Sequence, residues 1–166
     1  MLRAILALAL LLPFTACDVF GGEDPFDAPC ADIYGLSATD EDGAAALNGR
    51  ISLTYAPTDF PGVPDLYGGV WELEATGSLR EETDAPNGSG SLRGDEADPT
   101  ELQLFDDDER ERPLSFYLVF DRRDLLDVGD FSGRWEIRDG ITGGAVRSGA
   151  FRADLTREAT DCFRVY

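Results

Sequence analysis

Apolar–polar alternation constrains this chain more than any other feature. In LNGRISLTYA, Leu47, Ile51, Leu53 and Tyr55 fall on one side of an extended backbone, and Asn48, Arg50, Ser52 and Thr54 on the other. GVWELEATGSL sets Trp71, Leu73, Ala75 and Leu79 against Val70, Glu72, Glu74 and Thr76. Leu102 and Leu104 alternate with Glu101 and Gln103, and Phe116, Leu118 and Phe120 with Ser115, Tyr117 and Val119. Phe131, Trp135 and Ile137 alternate with Ser132, Arg134, Glu136 and Arg138, and Phe151, Ala153 and Leu155 with Ala150, Arg152 and Asp154. A last short strand is expected from Cys162 to Tyr166. A period of two marks strands with one dry and one wet face. Parallel strands covered on both sides would be apolar throughout. The pattern predicts an all-β domain, a single antiparallel meander β-barrel or sandwich of about seven to eight strands. Turn-rich stretches at 56–65, 81–90, 106–112 and 139–144 separate the strands, and one short helix is expected near Asp121–Val128 with Asp121 as its cap. Closure into a barrel would remove exposed strand edges.

A leader precedes the strands. Residues 1–16 read MLRAILALALLLPFTA: Arg3, an apolar run from Ala4 to Leu12, then Pro13. This is the pattern of a secretory signal peptide, and the run is too short to span a bilayer. Residues 17–29, CDVFGGEDPFDAP, are acidic and rich in Gly and Pro, as expected of an extended tether. The chain thus divides into a signal at 1–16, a tether at 17–29 and a β domain at 30–166, large enough to bury a core.

The leader ends in Phe14-Thr15-Ala16-Cys17, which resembles the lipobox of bacterial lipoproteins. The resemblance implies that Cys17 is lipidated and becomes the first residue, so the membrane is a partner through that lipid. The acidic residues behind Cys17 resemble the sorting signals of surface lipoproteins. They imply the outer membrane or cell surface rather than the inner membrane. With Cys17 carrying lipid, Cys30 and Cys162 are left as an even pair in an oxidising compartment. A bridge between them would close most of the domain and stabilise it by about 4–5 kcal/mol. Two buried free thiols are the alternative.

Charge excludes much chemistry. Lys+Arg total 14, all of them Arg, against 33 acids, and His is absent, giving a net charge of −19. Without imidazole or lysine there is no Ser-His-Asp relay, no His-ligated zinc, no Schiff base and no P-loop. Such an acidic chain repels nucleic acid.

GVWEL at 69–73 and GRWEI at 133–137 form a weak internal repeat, followed by the Gly/Ser-rich stretches GSGSLRG (88–94) and RSGAFRA (147–153), read as turns. Gly69 and Gly133 are expected to make room for a tryptophan packing across the strand. Gly-x-Trp resembles lipocalins and streptavidin-like barrels, and the wider texture resembles small meander-barrel lipoproteins of bacteria. These resemblances imply architecture rather than activity.

The candidate sites divide between core and ligand. Trp71 and Trp135 either line a ligand cavity within the barrel or simply pack in its core. Asp106, Asp107, Asp108, Glu109 and Glu111, and separately Asp95, Glu96, Asp98 and Glu101, offer carboxylates to Ca²⁺ but lack an EF-hand's spacing, so solvated loop tips are the expectation and no metal is assigned. Glu72 and Glu136, which follow the tryptophans, are the matched pair for glycosidase chemistry, but period two places both on the outside. Arg93-Gly94-Asp95 matches an adhesion tripeptide that short sequences contain by chance, and Asn87-Gly88-Ser89 a glycosylation sequon that also marks a turn. The expectation is a lipid-anchored envelope protein with a non-catalytic binding or structural domain. It has no cofactor, and its partner is a small ligand, a glycan or a protein. A carboxylate-dependent hydrolase acting on glycans is the alternative.

Overall fold

The computed structural model describes residues 24–27, 30–56, 66–81, 85–95, 99–106, 116–121 and 129–159. Eight strands follow one another around a closed barrel, each antiparallel to the next: β1 (Asp32–Asp40), β2 (Ala45–Ala56), β3 (Leu66–Ala75), β4 (Gly88–Asp95), β5 (Thr100–Asp106), β6 (Phe116–Phe120), β7 (Phe131–Arg138) and β8 (Ala145–Arg157). β8 closes the ring on β1, with Leu36 opposite Ala153 and Ala38 opposite Phe151. The choice between barrel and sandwich is thereby settled, and closure leaves no free sheet edge among the described strands.

Helix is confined, among the described residues, to two 3-10 turns at Pro25–Asp27 and Gly77–Glu81. The helix expected near Asp121–Val128 lies, beyond Asp121, outside the described residues, as does the strand expected from Cys162 to Tyr166. Two strands are additions to the sequence reading. β1 carries the alternation Tyr34, Leu36, Ala38, all buried. β4 covers the Gly/Ser-rich segment read as a turn, and the matching segment at 147–153 lies within β8. Glycine suits these stretches because Trp71, Leu102 and Trp135 of the neighbouring strands lie across Gly90, Gly94 and Gly149.

The inward faces make one cluster that includes Leu36, Ile51, Leu92, Leu104, Phe116 and Leu118. Aromatic rings fill the end where the chain enters. Phe131 meets Tyr34 edge-on at 5.0 Å and Phe120 at 4.6 Å. Burial raises the Tyr34 hydroxyl pKa, helped by Asp32 and Asp130. Tyr55, at the same end, shares the inward parity but is half exposed and rests on Tyr67. Hairpins at the other end are fixed by aspartates: Asp40 accepts from the Asp42 and Ala44 amides, Asp139 from those of Ile141 and Thr142. Those amides hold the Asp139 carboxyl below its usual pKa.

Candidate functional site

Each tryptophan is locked to a glycine on the next strand. Trp71 on β3 stands opposite Gly90 on β4, and Trp135 on β7 opposite Gly149 on β8. A Cβ at Gly90 would lie 2.8 Å from Trp71 Cε2, and one at Gly149 2.7 Å from Trp135 Cε2. The space the indoles occupy is therefore made by Gly90 and Gly149. The assignment to Gly69 and Gly133 is corrected: these face the carbonyls of Ser52 and Val119 on the preceding strands and allow close backbone approach instead.

The indole N–H groups end on backbone. Trp71 Nε1 donates to the carbonyls of Ser91 and Phe105, each at 3.0 Å, and Trp135 Nε1 to that of Thr39 at 2.8 Å. Phe105 pairs with Ser91, the residue after Gly90, and Thr39 with Ala150, the residue after Gly149. The same set of tryptophan, glycine and carbonyl therefore recurs four strands on, and β1–β4 and β5–β8 are two copies of one plan. Trp71 is 1 % and Trp135 0 % exposed, and Trp135 stacks on Phe116 at 5.7 Å. Both indoles are core, with their polar atoms satisfied within the wall.

The outer wall of the first copy is a candidate surface. Arg50 Nε donates to Glu72 Oε2 at 2.7 Å and its Nη2 to Asp24 Oδ2 at 3.0 Å, while the guanidinium lies 3.9 Å from the Phe26 ring centre. The Glu72 hydrogen bond raises the Arg50 pKa, and the Phe26 amide, then Arg50, lowers that of Asp24. Phe26 is 4 % exposed, although it lies within the stretch read as a free tether. It covers an outward apolar patch of Ala31, Ile33 and Val70. That cover explains the buried Ser52, which sits between Ile33 and Val70 on β2 and accepts the Val70 amide at 3.2 Å. Next to Arg50 opens a groove of about 730 Å³ lined by Asn48, Arg50, Glu72, Arg80, Asn87 and Ser89, with the bare backbone of Gly49 and Gly88 between them.

The second copy treats the same positions differently. Tyr117 stands opposite Glu136 where Arg50 stands opposite Glu72. Arg138 makes a bidentate pair with Glu101, at 2.7 and 2.8 Å, and its Nε donates to Glu136 Oε2 at 2.7 Å. Arg134 pairs with Glu136 as well, and Arg138 lies 4.2 Å from the Tyr117 ring centre. These groups shield Glu136 to 5 % exposure. It faces outward as expected but is not wet, a correction to the reading of both acids as solvated. The Arg138 hydrogen bonds lower the Glu101 pKa and raise that of Arg138, led by the Glu101 contact.

The remaining candidates scatter. Glu101 stands opposite Asp95 across β4 and β5, and its carboxylate is paired with Arg138. Asp106 ends β5, and the other acids of that cluster, like Glu96 and Asp98, lie outside the described residues. Arg93 is on β4, outward, with its guanidinium 6.0 Å from the Phe105 ring centre. Asn87 precedes β4 and accepts the Ala75 amide at 3.4 Å. Cys17 and Cys162 lie outside the described residues, and Cys30 is exposed two residues before β1. The groove and the Phe26 cover were missed because neither has a motif. An isolated Phe flanked by Asp24 and Asp27 is their only trace in the sequence. No protein family, no curated protein and no solved structure matches the chain.

Proposed function

We propose that this chain is an exported protein, held to the cell envelope by lipid on Cys17, whose barrel is a non-catalytic binding frame. The observation that carries the reading is the division of the barrel. Its interior is apolar and includes both tryptophans, whereas a polar groove of about 730 Å³ opens outside β2–β4. A groove of amides, hydroxyls and paired charges over bare glycine backbone suits a hydroxyl-rich or peptide-like partner, such as a glycan strand. Glu72 and Glu136 are each held by arginine rather than set in an apolar pocket, which favours binding over acid catalysis.

A Cys30–Cys162 bridge belongs to the same reading. Arg157 pairs with Ile33, and the Ala159 amide donates to Asp32 at 2.7 Å, so the outgoing chain runs beside the incoming one. The experiment is fractionation of Cys17→Ala in a lipoprotein-competent host. Release into the soluble fraction is expected, and undiminished membrane attachment contradicts the anchor. Groove binding is tested by titrating cell-wall glycan fragments into wild type and Glu72→Ala/Asn87→Ala. Loss of binding in the variant is expected, and equal affinity places the site elsewhere.

A further inference from the structure

The stretch between the anchor and the barrel is not free along its whole length. Phe26 is pressed into the Ala31, Ile33 and Val70 patch, and its ring is covered by Arg50. Asp24 is paired to Arg50 at 3.0 Å. Arg157 donates to the Phe26 carbonyl and lies 3.6 Å from Asp27. Four strands, β1, β2, β3 and β8, thus hold one short turn. Arg50, which receives Asp24, belongs to the row Gly35–Arg50–Glu72 that crosses β1, β2 and β3. The chain therefore leaves the barrel from the wall and not from either open end.

We propose that Asp24–Asp27 is a latch that mounts the barrel side-on, with the β1–β3 wall toward the lipid surface. The proposal rests on the reading of Cys17 as the lipidated residue. From Cys17 to Asp24 the backbone reaches at most about 25 Å, whereas a chain free as far as Asp32 would reach about 50 Å. The latch halves the spacer and fixes where on the barrel it starts. The partner face is the outer surface of a bilayer, and the polar groove beside Arg50 lies on the mounted side.

The two tryptophans report on this directly, because β3 and β7 are four strands apart in a ring of eight, on opposite sides. The lipidated full chain is incorporated into phosphatidylethanolamine–phosphatidylglycerol vesicles carrying a dansyl headgroup acceptor. Trp135→Phe leaves Trp71 as the donor, and Trp71→Phe leaves Trp135. At least twofold more transfer is expected from Trp71, and the difference should vanish when Phe26→Ala is added. Equal transfer, or more from Trp135, overturns the side-on mount. Should a tryptophan substitution unfold the barrel, broadening of the two wild-type indole N–H resonances by a headgroup spin label reads the same asymmetry. Hydrogen exchange on the unmodified full chain judges the latch alone. Phe26→Ala should speed exchange at 24–31 at least tenfold and leave β5–β8 unchanged, and unchanged exchange at 24–31 overturns the latch. Failure of the wild-type chain to float with vesicles overturns the anchor reading and the mount with it, while the exchange result still stands.

Discussion

The two halves of the barrel share a skeleton and differ on the outside. Trp71 with Gly90 and Trp135 with Gly149 occupy matching places, and each indole reaches a carbonyl on the strand beyond. Outside, the first half has the row Ile33, Ser52, Val70 under Phe26, where the second has Glu101, Val119, Arg134. One wall is sealed by an apolar plug, the other by a charged network. The inner plan is set by packing, which tolerates little change. The outer rows only need some means of covering or solvating the strand face, so they are free to diverge and to take on separate tasks.

The comparison breaks most severely at its core. Trp71→Ala and Trp135→Ala should each destabilise by about 3–5 kcal/mol, and by similar amounts. Urea unfolding checks this, and a neutral result for either one breaks the equivalence of the halves. Gly90→Ala and Gly149→Ala should each cost about 1–3 kcal/mol by overpacking against the indole. Adding the matching Trp→Phe to each variant should recover part of that loss, a coupling that unfolding of the double variants will show.

The outer rows should respond unequally. Glu136→Gln leaves Arg138 and Arg134 short of a shielded carboxylate and should destabilise by about 1–3 kcal/mol. Glu72→Gln, on the exposed pair, should stay within about 0.5 kcal/mol. Equal losses would erase the distinction between the walls. Acid sharpens it further. Glu101 has its pKa lowered by Arg138, so its contribution is present above the ordinary carboxylate range and is lost as pH falls through its folded value. Glu101→Gln should therefore flatten the acid limb of the stability profile. Asp24 is lowered too, by the Phe26 amide and then Arg50, so amide protection at 24–31, taken relative to the intrinsic exchange rate at each pH, should fall over the same acid range. The smallest effect belongs to Ile141, 96 % exposed at the β7–β8 turn, where Ile141→Ser should be neutral within about 0.5 kcal/mol.

Period two was enough to read the class of fold, the antiparallel order and most inward residues, because a barrel wall has one dry face along its whole length. It failed where glycine replaced apolar residues. β4 has Gly90 and Gly94 in inward positions, filled from outside the strand by Trp71 and Leu102, so its own letters carry no alternation beyond Leu92. β1 was obscured because Ile33 and Tyr34 are both buried, one beneath the Phe26 plug and one in the core. Spacing puts Arg134 and Arg138 on the face of Glu136, but Glu101 on β5 and Tyr117 on β6, which hold Arg138 over it, are contacts that spacing along the chain does not encode. The groove is assembled from β2, β3, the 3-10 turn and the start of β4, and only the fold brings these together.

Intact mass spectrometry of the protein extracted from its native membrane, without reductant, tests the account most directly. The prediction is the mass of residues 17–166 plus acyl groups, less two hydrogens for the Cys30–Cys162 bridge. The mass of the full 166-residue chain without lipid would contradict it.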